Sequence, residues 1–195
     1  MFVILDNGHG INTLGKRSPV WADGTQLFEY EFNRDIVKRI HDKLSKLNID
    51  SHILVPEDLD IGLTKRARRA NSIYIEHPDA FLISVHANAG GGTGWECFTS
   101  PGKTTSDYIA NIFYEAAEEY FPEWRIRKDE SDGDSDKESD FTILTKTNCP
   151  AILTENFFMD TQKDCKFILS DEGREKIADM HVSAILRYRD ELDYI

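Results

Sequence analysis

Two histidines and two glutamates occupy positions from which they could together form a catalytic metal site. His9 follows the first apolar run of the chain, with a glycine on each side that is expected to let the backbone turn tightly, and His86 follows a longer apolar run. Glu29 opens a segment with helical spacing, and Glu155 comes directly after a late apolar run. Neutral imidazoles and a carboxylate are typical ligands of hydrolytic zinc sites, which keep one position open for water. A further carboxylate beside such a site can serve as a general base.

Each of these four residues also has a simpler structural explanation. A single histidine after a strand is commonly a hydrogen-bonded turn residue, and Glu29 alone fits a first-turn acid favoured by the helix dipole. Glu155 alone could pair with a nearby basic side chain. Only the combination of the four favours a metal site. The remaining histidines lack such a context and are expected to be surface or packing residues: His41, His52, His77 and His181.

The elements that would position these residues alternate between strand and helix. Short apolar runs predict strands at residues 2–5, 51–55, 80–85, 94–98, 141–144 and 151–154. Helical spacing predicts helices at residues 29–47, 63–75 (with Thr64 as N-cap), 108–120 and 173–188. This rhythm predicts an open α/β sheet with helices on both faces. Ligands bind such sheets at the carboxyl ends of the strands, where the four candidate residues are expected to converge.

Length, composition and charge restrict the class of protein. The chain has 195 residues, 40% hydrophobic and 30% charged, which favours a single globular domain over residues 1–195. A formal net charge of −12 disfavours a nucleic-acid partner. The dense basic cluster of Lys65, Arg66, Arg68 and Arg69 is predicted to be a solvated helix face. The N-terminus lacks a signal-peptide pattern and no stretch approaches ~18 apolar residues, so we expect synthesis in the cytoplasm and no membrane partner.

An acidic segment at residues 129–140 departs from the rest of the chain in composition. It holds seven acidic residues and one lysine, and is predicted to be a solvated, mobile loop. Its alternating aspartates invite a calcium-loop interpretation. The calcium motif needs a glycine where Lys137 stands and a bidentate glutamate where Ile143 stands, so we reject that interpretation.

Several short motifs follow one another along nearly the whole chain. They are Ile4-Leu5-Asp6-Asn7-Gly8-His9-Gly10, Glu29 followed by Asn33, Leu63-x-x-Arg66-x-x-x-Ala70-Asn71, Ile83-Ser84-Val85-His86-Ala87-Asn88-Ala89, Gly94-Trp95-Glu96 and Pro150-Ala151-Ile152-Leu153-Thr154-Glu155-Asn156. In type and order they resemble the zinc-dependent N-acetylmuramoyl-L-alanine amidases of the amidase-3 type. Two departures are Asn7, where the family commonly has proline, and a longer stretch between residues 10 and 29.

The resemblance implies a fold, a site and an activity. The fold would be a three-layer α/β/α arrangement with a mostly parallel, twisted sheet of about six strands. His9, Glu29 and His86 would hold one zinc ion per chain, Glu155 would be the catalytic acid/base, and Asn88 is expected to contact the substrate. The chain would act as a monomer on peptidoglycan, cutting the amide between the lactyl group of N-acetylmuramic acid and L-alanine.

Alternatives to this activity and to its biological role stay open. A zinc peptidase cutting within the stem peptide would use the same metal and carboxylate and differ in the walls of its groove. The other alternative is a catalytically silent wall-binding module. Loss of one of the candidate site residues would favour it, but His9, Glu29, His86 and Glu155 are all present. A phage or prophage lysin released through a holin fits a chain without a signal peptide, and a wall-recycling or secretion-system enzyme is the other role.

Overall fold

A six-stranded sheet between two layers of helices forms the body of the computed structural model, which describes residues 1–131 and 133–192. The strands are β1 (Phe2–Asn7), β2 (Ser51–Ile53), β3 (Ala80–Asn88), β4 (Trp95–Thr99), β5 (Lys137–Glu138) and β6 (Ala151–Phe158). The helices are α1 (Glu29–Lys46), α2 (Leu63–Glu76), α3 (Thr105–Tyr120), α4 (Thr142–Thr145), α5 (Gln162–Leu169) and α6 (Asp171–Leu192). The predicted α/β/α arrangement is confirmed.

The strand order of the sheet is β2-β1-β3-β6-β4-β5. All neighbouring strands run parallel except β4 and β6, which are antiparallel, so the predicted mostly parallel sheet is also confirmed. The chain leaves β1 toward β2 on one side and later returns as β3 on the other side. This reversal opens a crevice at the carboxyl ends of β1 and β3, the usual ligand position in open α/β sheets.

The two faces of the sheet have separate cores because successive side chains of a strand point in opposite directions. Val3, Ile83 and Ile152 belong to the larger core, which the sheet shares with α1, α3, α5 and α6. Ile4 and Leu82 belong to the smaller core, under α2 and α4. Across residues 1–131 and 133–192, no helix has both the length and the apolar composition needed to cross a membrane.

The predicted strand at residues 141–144 is wrong, because this segment forms the short helix α4. Ile143 and Leu144 are both buried, on consecutive positions of a turn that packs against the smaller core. A run of four apolar and polar residues is too short for its period to distinguish a strand from a helical turn.

The acidic segment is solvated only in part. Its end forms β5, which pairs with β4 at the edge of the sheet. Asp136 is buried and accepts a hydrogen bond from the Thr99 hydroxyl at 2.5 Å, while burial and the neighbouring Asp134 raise its pKa to about 7. The expectation of a solvated loop over residues 129–140 is therefore corrected for residues 136–138.

The start of α2 also differs from the expectation. Its N-cap is Gly62, whose carbonyl accepts hydrogen bonds from the backbone amides of Lys65 and Arg66. Thr64 lies inside the first turn, so its assignment as the N-cap is wrong. Glycine is an acceptable N-cap because it adopts the required backbone conformation without a side-chain bond.

Candidate metal centre

His9, Glu29 and His86 meet at the crevice between β1 and β3. One potential ligand atom from each residue lies within 4.8 Å of the others. Glu29 Oε1 is 3.0 Å from His86 Nδ1 and 3.2 Å from His9 Nε2, and the two imidazole rings meet edge to face. The predicted convergence of three residues from β1, α1 and β3 is therefore present in the fold.

Unpartnered polar atoms show whether these residues fit a metal ion. His9 Nε2 and Glu29 Oε2 are buried and make no hydrogen bond to any residue that the structure describes. The approach of His9 Nε2 to Glu29 lacks hydrogen-bond geometry. Buried polar atoms normally have partners, so these two call for one that is not a protein group. Two imidazoles and a carboxylate form a donor set typical of zinc, and the residues fit this ion.

The electrostatics of Glu29 suit a metal ligand. The side chain is only 1% exposed, and burial by itself disfavours its charged form. The hydrogen bond from His86 and the close approach of the His9 imidazole outweigh that effect and hold the pKa of Glu29 well below its usual range. Its carboxylate is therefore ionised and available at neutral pH.

His9 has an unusual backbone conformation that aims its side chain into the crevice. Its φ is +65°, in the left-handed region that costs a residue with a side chain roughly 1–2 kcal/mol. The His9 carbonyl accepts hydrogen bonds from Arg34 Nη1 at 3.0 Å and Arg66 Nη2 at 3.2 Å. These two guanidinium groups hold the strained residue in place.

The glycines around His9 serve close packing. A Cβ atom on Gly8 would lie 2.1 Å from the His86 ring, and one on Gly10 would lie 2.1 Å from the backbone of Asp60. Neither glycine adopts a positive φ, whereas His9 does. We expected the conformational freedom of the two glycines to allow the tight turn at His9. This expectation is wrong, because the residue that adopts the left-handed conformation is His9 itself.

Arg66 is buried beneath the site, contrary to the predicted solvated face. Its guanidinium donates to Asp6 Oδ1 at 2.6 Å and to Asp60 Oδ1 at 2.9 Å. Asp6 in turn accepts a hydrogen bond from the Ser84 hydroxyl at 2.6 Å, which ties β1 to β3. The signal missed in the sequence is helical spacing, since an arginine four positions before Ala70 lies on the same, buried face of α2.

Glu155 lies beside the three candidate ligands. It stands directly opposite His86 in the register of β3 and β6. Its Oε2 is buried and has no hydrogen-bond partner among residues 1–131 and 133–192. Burial, assisted by the negative charge of Glu29, raises the pKa of Glu155 to about 7 against the opposing influence of His86. This carboxyl can therefore take up and release a proton near neutral pH.

On the other side of Glu155, Glu96 connects several polar residues that the sequence did not single out as a group. Glu96 stands opposite Glu155 in the register of β4 and β6. Its carboxylate accepts hydrogen bonds from Asn88 Nδ2 at 2.6 Å, Arg127 Nε at 2.7 Å and Lys137 Nζ at 2.6 Å. Asn88 is thus fixed at the edge of the site, where its contact with a substrate stays a prediction.

A cavity of about 410 Å³ opens beside the candidate ligands. Glu155 and His86 line it near the metal centre, and Lys16 lies at its margin. Its apolar lining consists of Ile61, Leu63, Phe141, Ile143 and Leu153. The space can therefore receive a substrate with both polar and apolar parts next to the carboxyl of Glu155.

A His–Glu–His group with a neighbouring carboxyl, at the strand ends of an α/β sheet, is an arrangement typical of zinc hydrolases. The amidase-3 family, described as N-acetylmuramoyl-L-alanine amidase, matches residues 3–187. The chain belongs to this family, which is generally zinc-dependent. The resemblance inferred from the motifs is confirmed.

Individual relatives agree with this assignment. The chain is 30% identical over 189 residues to an endolysin of Bacillus phage SPP1 and 28% identical over 187 residues to the N-acetylmuramoyl-L-alanine amidase CwlM of Bacillus licheniformis. The alignments cover 94% and 95% of this chain but 64% and 67% of those proteins, so it spans about two thirds of their length. The crystal structure of an N-acetylmuramoyl-L-alanine amidase from Clostridium difficile 630 superposes with a TM-score of 0.80 at 28% identity, covering 97% of this chain and 96% of that one.

Proposed function

We propose that this chain is a zinc-dependent amidase that hydrolyses the bond between the lactyl group of N-acetylmuramic acid and L-alanine in peptidoglycan. The observation that carries the proposal is the group of His9, Glu29 and His86, whose ligand atoms lie within 4.8 Å, with Glu155 in register beside it. Family membership over residues 3–187 supports the substrate class and the type of bond.

The mechanism assigns separate roles to these residues. His9, Glu29 and His86 would hold one zinc ion, which would act as a Lewis acid on the scissile carbonyl and would lower the pKa of water toward ~7. Glu155 accepts the proton of the attacking water and then donates it to the leaving amine of alanine. Its pKa of about 7 suits both steps at neutral pH. Asn88, held by Glu96, contacts the substrate at the edge of the site.

In its biological role the protein is a monomeric phage or prophage lysin that reaches the cell wall from the cytoplasm through a holin. The similarity to the endolysin of phage SPP1 supports this role. A holin gene next to the coding sequence would agree with it, whereas genes for wall recycling or for a secretion system would favour the other role.

The decisive experiment identifies the bond that is cut. Purified peptidoglycan should yield new alanine N-termini, intact stem peptides and glycan strands without new reducing ends. Chelation should abolish the activity, and added zinc should restore it, with one zinc per chain by elemental analysis. Fragments cut within the stem would indicate the peptidase alternative, and wall binding without any product would indicate the silent module.

A further inference from the structure

Lys16 is a cation that the fold fixes at the margin of the cavity beside Glu155. It lies on the long loop between β1 and α1, and its carbonyl accepts a hydrogen bond from the backbone amide of Glu29 at 3.0 Å. The next residue, Arg17, forms an antiparallel bridge with Phe28. These backbone bonds tie the position of Lys16 to the first residue of α1 and therefore to the metal centre.

The charge of Lys16 is available to a ligand. Its Nζ lies 3.7 Å from Glu29 Oε2, beyond hydrogen-bond distance, and its side chain is 45% exposed. Arg66, the other lysine or arginine lining the cavity, is committed to Asp6 and Asp60. Within the described part of the chain, Lys16 is therefore the cation of this cavity whose donors are unused.

The cations on the opposite flank of Glu155 are less suited to bind an anion. Arg127 and Lys137 both donate to the carboxylate of Glu96, so one donor of each is already used and one of their two charges is compensated. Neither of them lines the cavity that Glu155 and Lys16 share. In a chain of net charge −12, a cation that lines the cleft and donates no hydrogen bond is the feature that can attract an anionic group.

We propose that Lys16 binds a carboxylate on the peptide side of the scissile amide and thereby selects stem peptides that carry this charge. The inference rests on the proposed function. The carboxyl of the lactyl group is consumed in the scissile amide and the N-acetylated sugars are neutral, so the anionic groups of the substrate belong to the peptide. A charge-assisted hydrogen bond from Lys16 is lost when that carboxylate is amidated.

The test compares two muramyl tripeptides of identical sequence. One carries free carboxylates on its peptide, and in the other every peptide carboxylate is converted to a carboxamide. The unsubstituted enzyme should favour the free acid by about 10-fold or more in kcat/KM, the range expected for a hydrogen bond to a charged group. Lys16→Met and Lys16→Gln should bring this ratio close to one, mainly by raising KM for the free acid, with zinc content unchanged. Lys16→Arg should restore the preference.

Arg17→Met is the matched control, because it removes one exposed cation from the neighbouring position of the same loop. Arg17→Met should leave the preference for the free acid over the amidated tripeptide unchanged. Equal rates for the two tripeptides, a preference that survives both neutral variants, or zinc loss on neutralising Lys16 would each overturn the inference while leaving the amidase proposal intact. If the unsubstituted enzyme hydrolyses neither tripeptide and no peptidoglycan, the proposed function fails and this inference fails with it.

Discussion

Individual side chains at the candidate metal centre are positioned by contacts that span long stretches of sequence. The carbonyl of His9 is held by Arg34 and Arg66, which follow it by 25 and 57 residues. Asn33 donates to the carbonyl of Gly8 at 3.0 Å, from the second turn of α1. The geometry of the candidate ligands therefore depends on neighbours that contribute no ligand atom themselves.

Replacement of Gly8 by alanine tests how closely this packing controls the metal centre. The new methyl group would lie 2.1 Å from His86 Cε1, so the ring must shift from the position in which its Nδ1 contacts Glu29. We expect Gly8→Ala to hold less than one zinc per chain and to lose at least about 100-fold in activity. Gly62→Ala is the control, because a Cβ there has open space and Gly62 has no positive φ. Full zinc content in Gly8→Ala would contradict the prediction.

Exchange of the carboxylates for amides separates the general base from the ligands. Glu155→Gln keeps the size of the side chain but removes the proton acceptor, so kcat should fall by about 10²–10⁴ while zinc content and thermal stability hardly change. His86→Ala should lose zinc and activity together. Zinc loss in Glu155→Gln with zinc retained in Glu29→Gln would mean that the two glutamates have exchanged roles.

The sequence could single out the four central residues because His9 follows a strand, Glu29 starts a helix, and His86 and Glu155 each follow an apolar run. The strands themselves continue beyond these runs, since β3 extends to Asn88 and β6 to Phe158. The left-handed conformation of His9 could not be predicted, because it depends on guanidinium groups that only the folded chain brings close. The burial of Arg66 could not be predicted from the sequence for a similar reason. Its partner Asp6 lies 60 positions away, and the neighbouring arginines gave the segment the appearance of a solvated face.

At the scale of elements, the sequence did not predict β5, α4 or α5, whereas the three-residue strand β2 was predicted. β5 has two residues and is recognisable only through its pairing with β4. The segment at residues 141–144 has the composition of a strand but forms α4, since packing against the smaller core decides between the two states. The helix α1 was predicted to within one residue because its hydrophobic period repeats over several turns. The continuous apolar run at residues 80–85 predicted β3, although the strand extends three residues further, to Asn88.

Partial and full replacement of the acidic segment tests how much of it belongs to the sheet. A Gly/Ser linker in place of residues 130–134 should leave the melting temperature almost unchanged, since exposed loops tolerate such changes. Extending the replacement through residue 138 removes β5 and the bond from Lys137 to Glu96. We then expect a fall of at least about 4 °C, given roughly 2–4 °C per kcal/mol at this size. Equal melting temperatures for both variants would mean that β5 adds no stability.

At the scale of the whole molecule, a buried histidine couples stability to pH. His181 on α6 is fully buried, donates from Nδ1 to the Ile177 carbonyl at 2.8 Å, and accepts at Nε2 from the Thr154 hydroxyl at 3.0 Å. Burial lowers its pKa to about 4, whereas an unfolded histidine titrates near 6.5. Below pH 6.5 the unfolded chain therefore binds a proton that the folded chain does not bind.

This difference predicts a loss of stability in acid. The contribution of neutral His181 should be complete above pH 6.5 and decline as the pH falls toward 4. Urea unfolding at pH 7.5 and 4.5, with a chelator present, should show a smaller decrease in the midpoint for His181→Gln than for the unsubstituted protein. A decrease of the same size in both would show that this histidine does not contribute to the acid sensitivity.

Because β3 pairs with β6, the site can be completed only after a late segment of the chain has been synthesised. His9, Glu29 and His86 all lie in the first 86 residues, but β6 begins only at Ala151. During synthesis the growing chain thus carries every candidate metal donor long before the strand that completes the centre of the sheet has been translated. Pairings between distant segments form late because closing a long loop is slow. We therefore expect the three candidate ligands to be fixed in the same late step that brings Glu155 beside them, once residues 151–158 have been made.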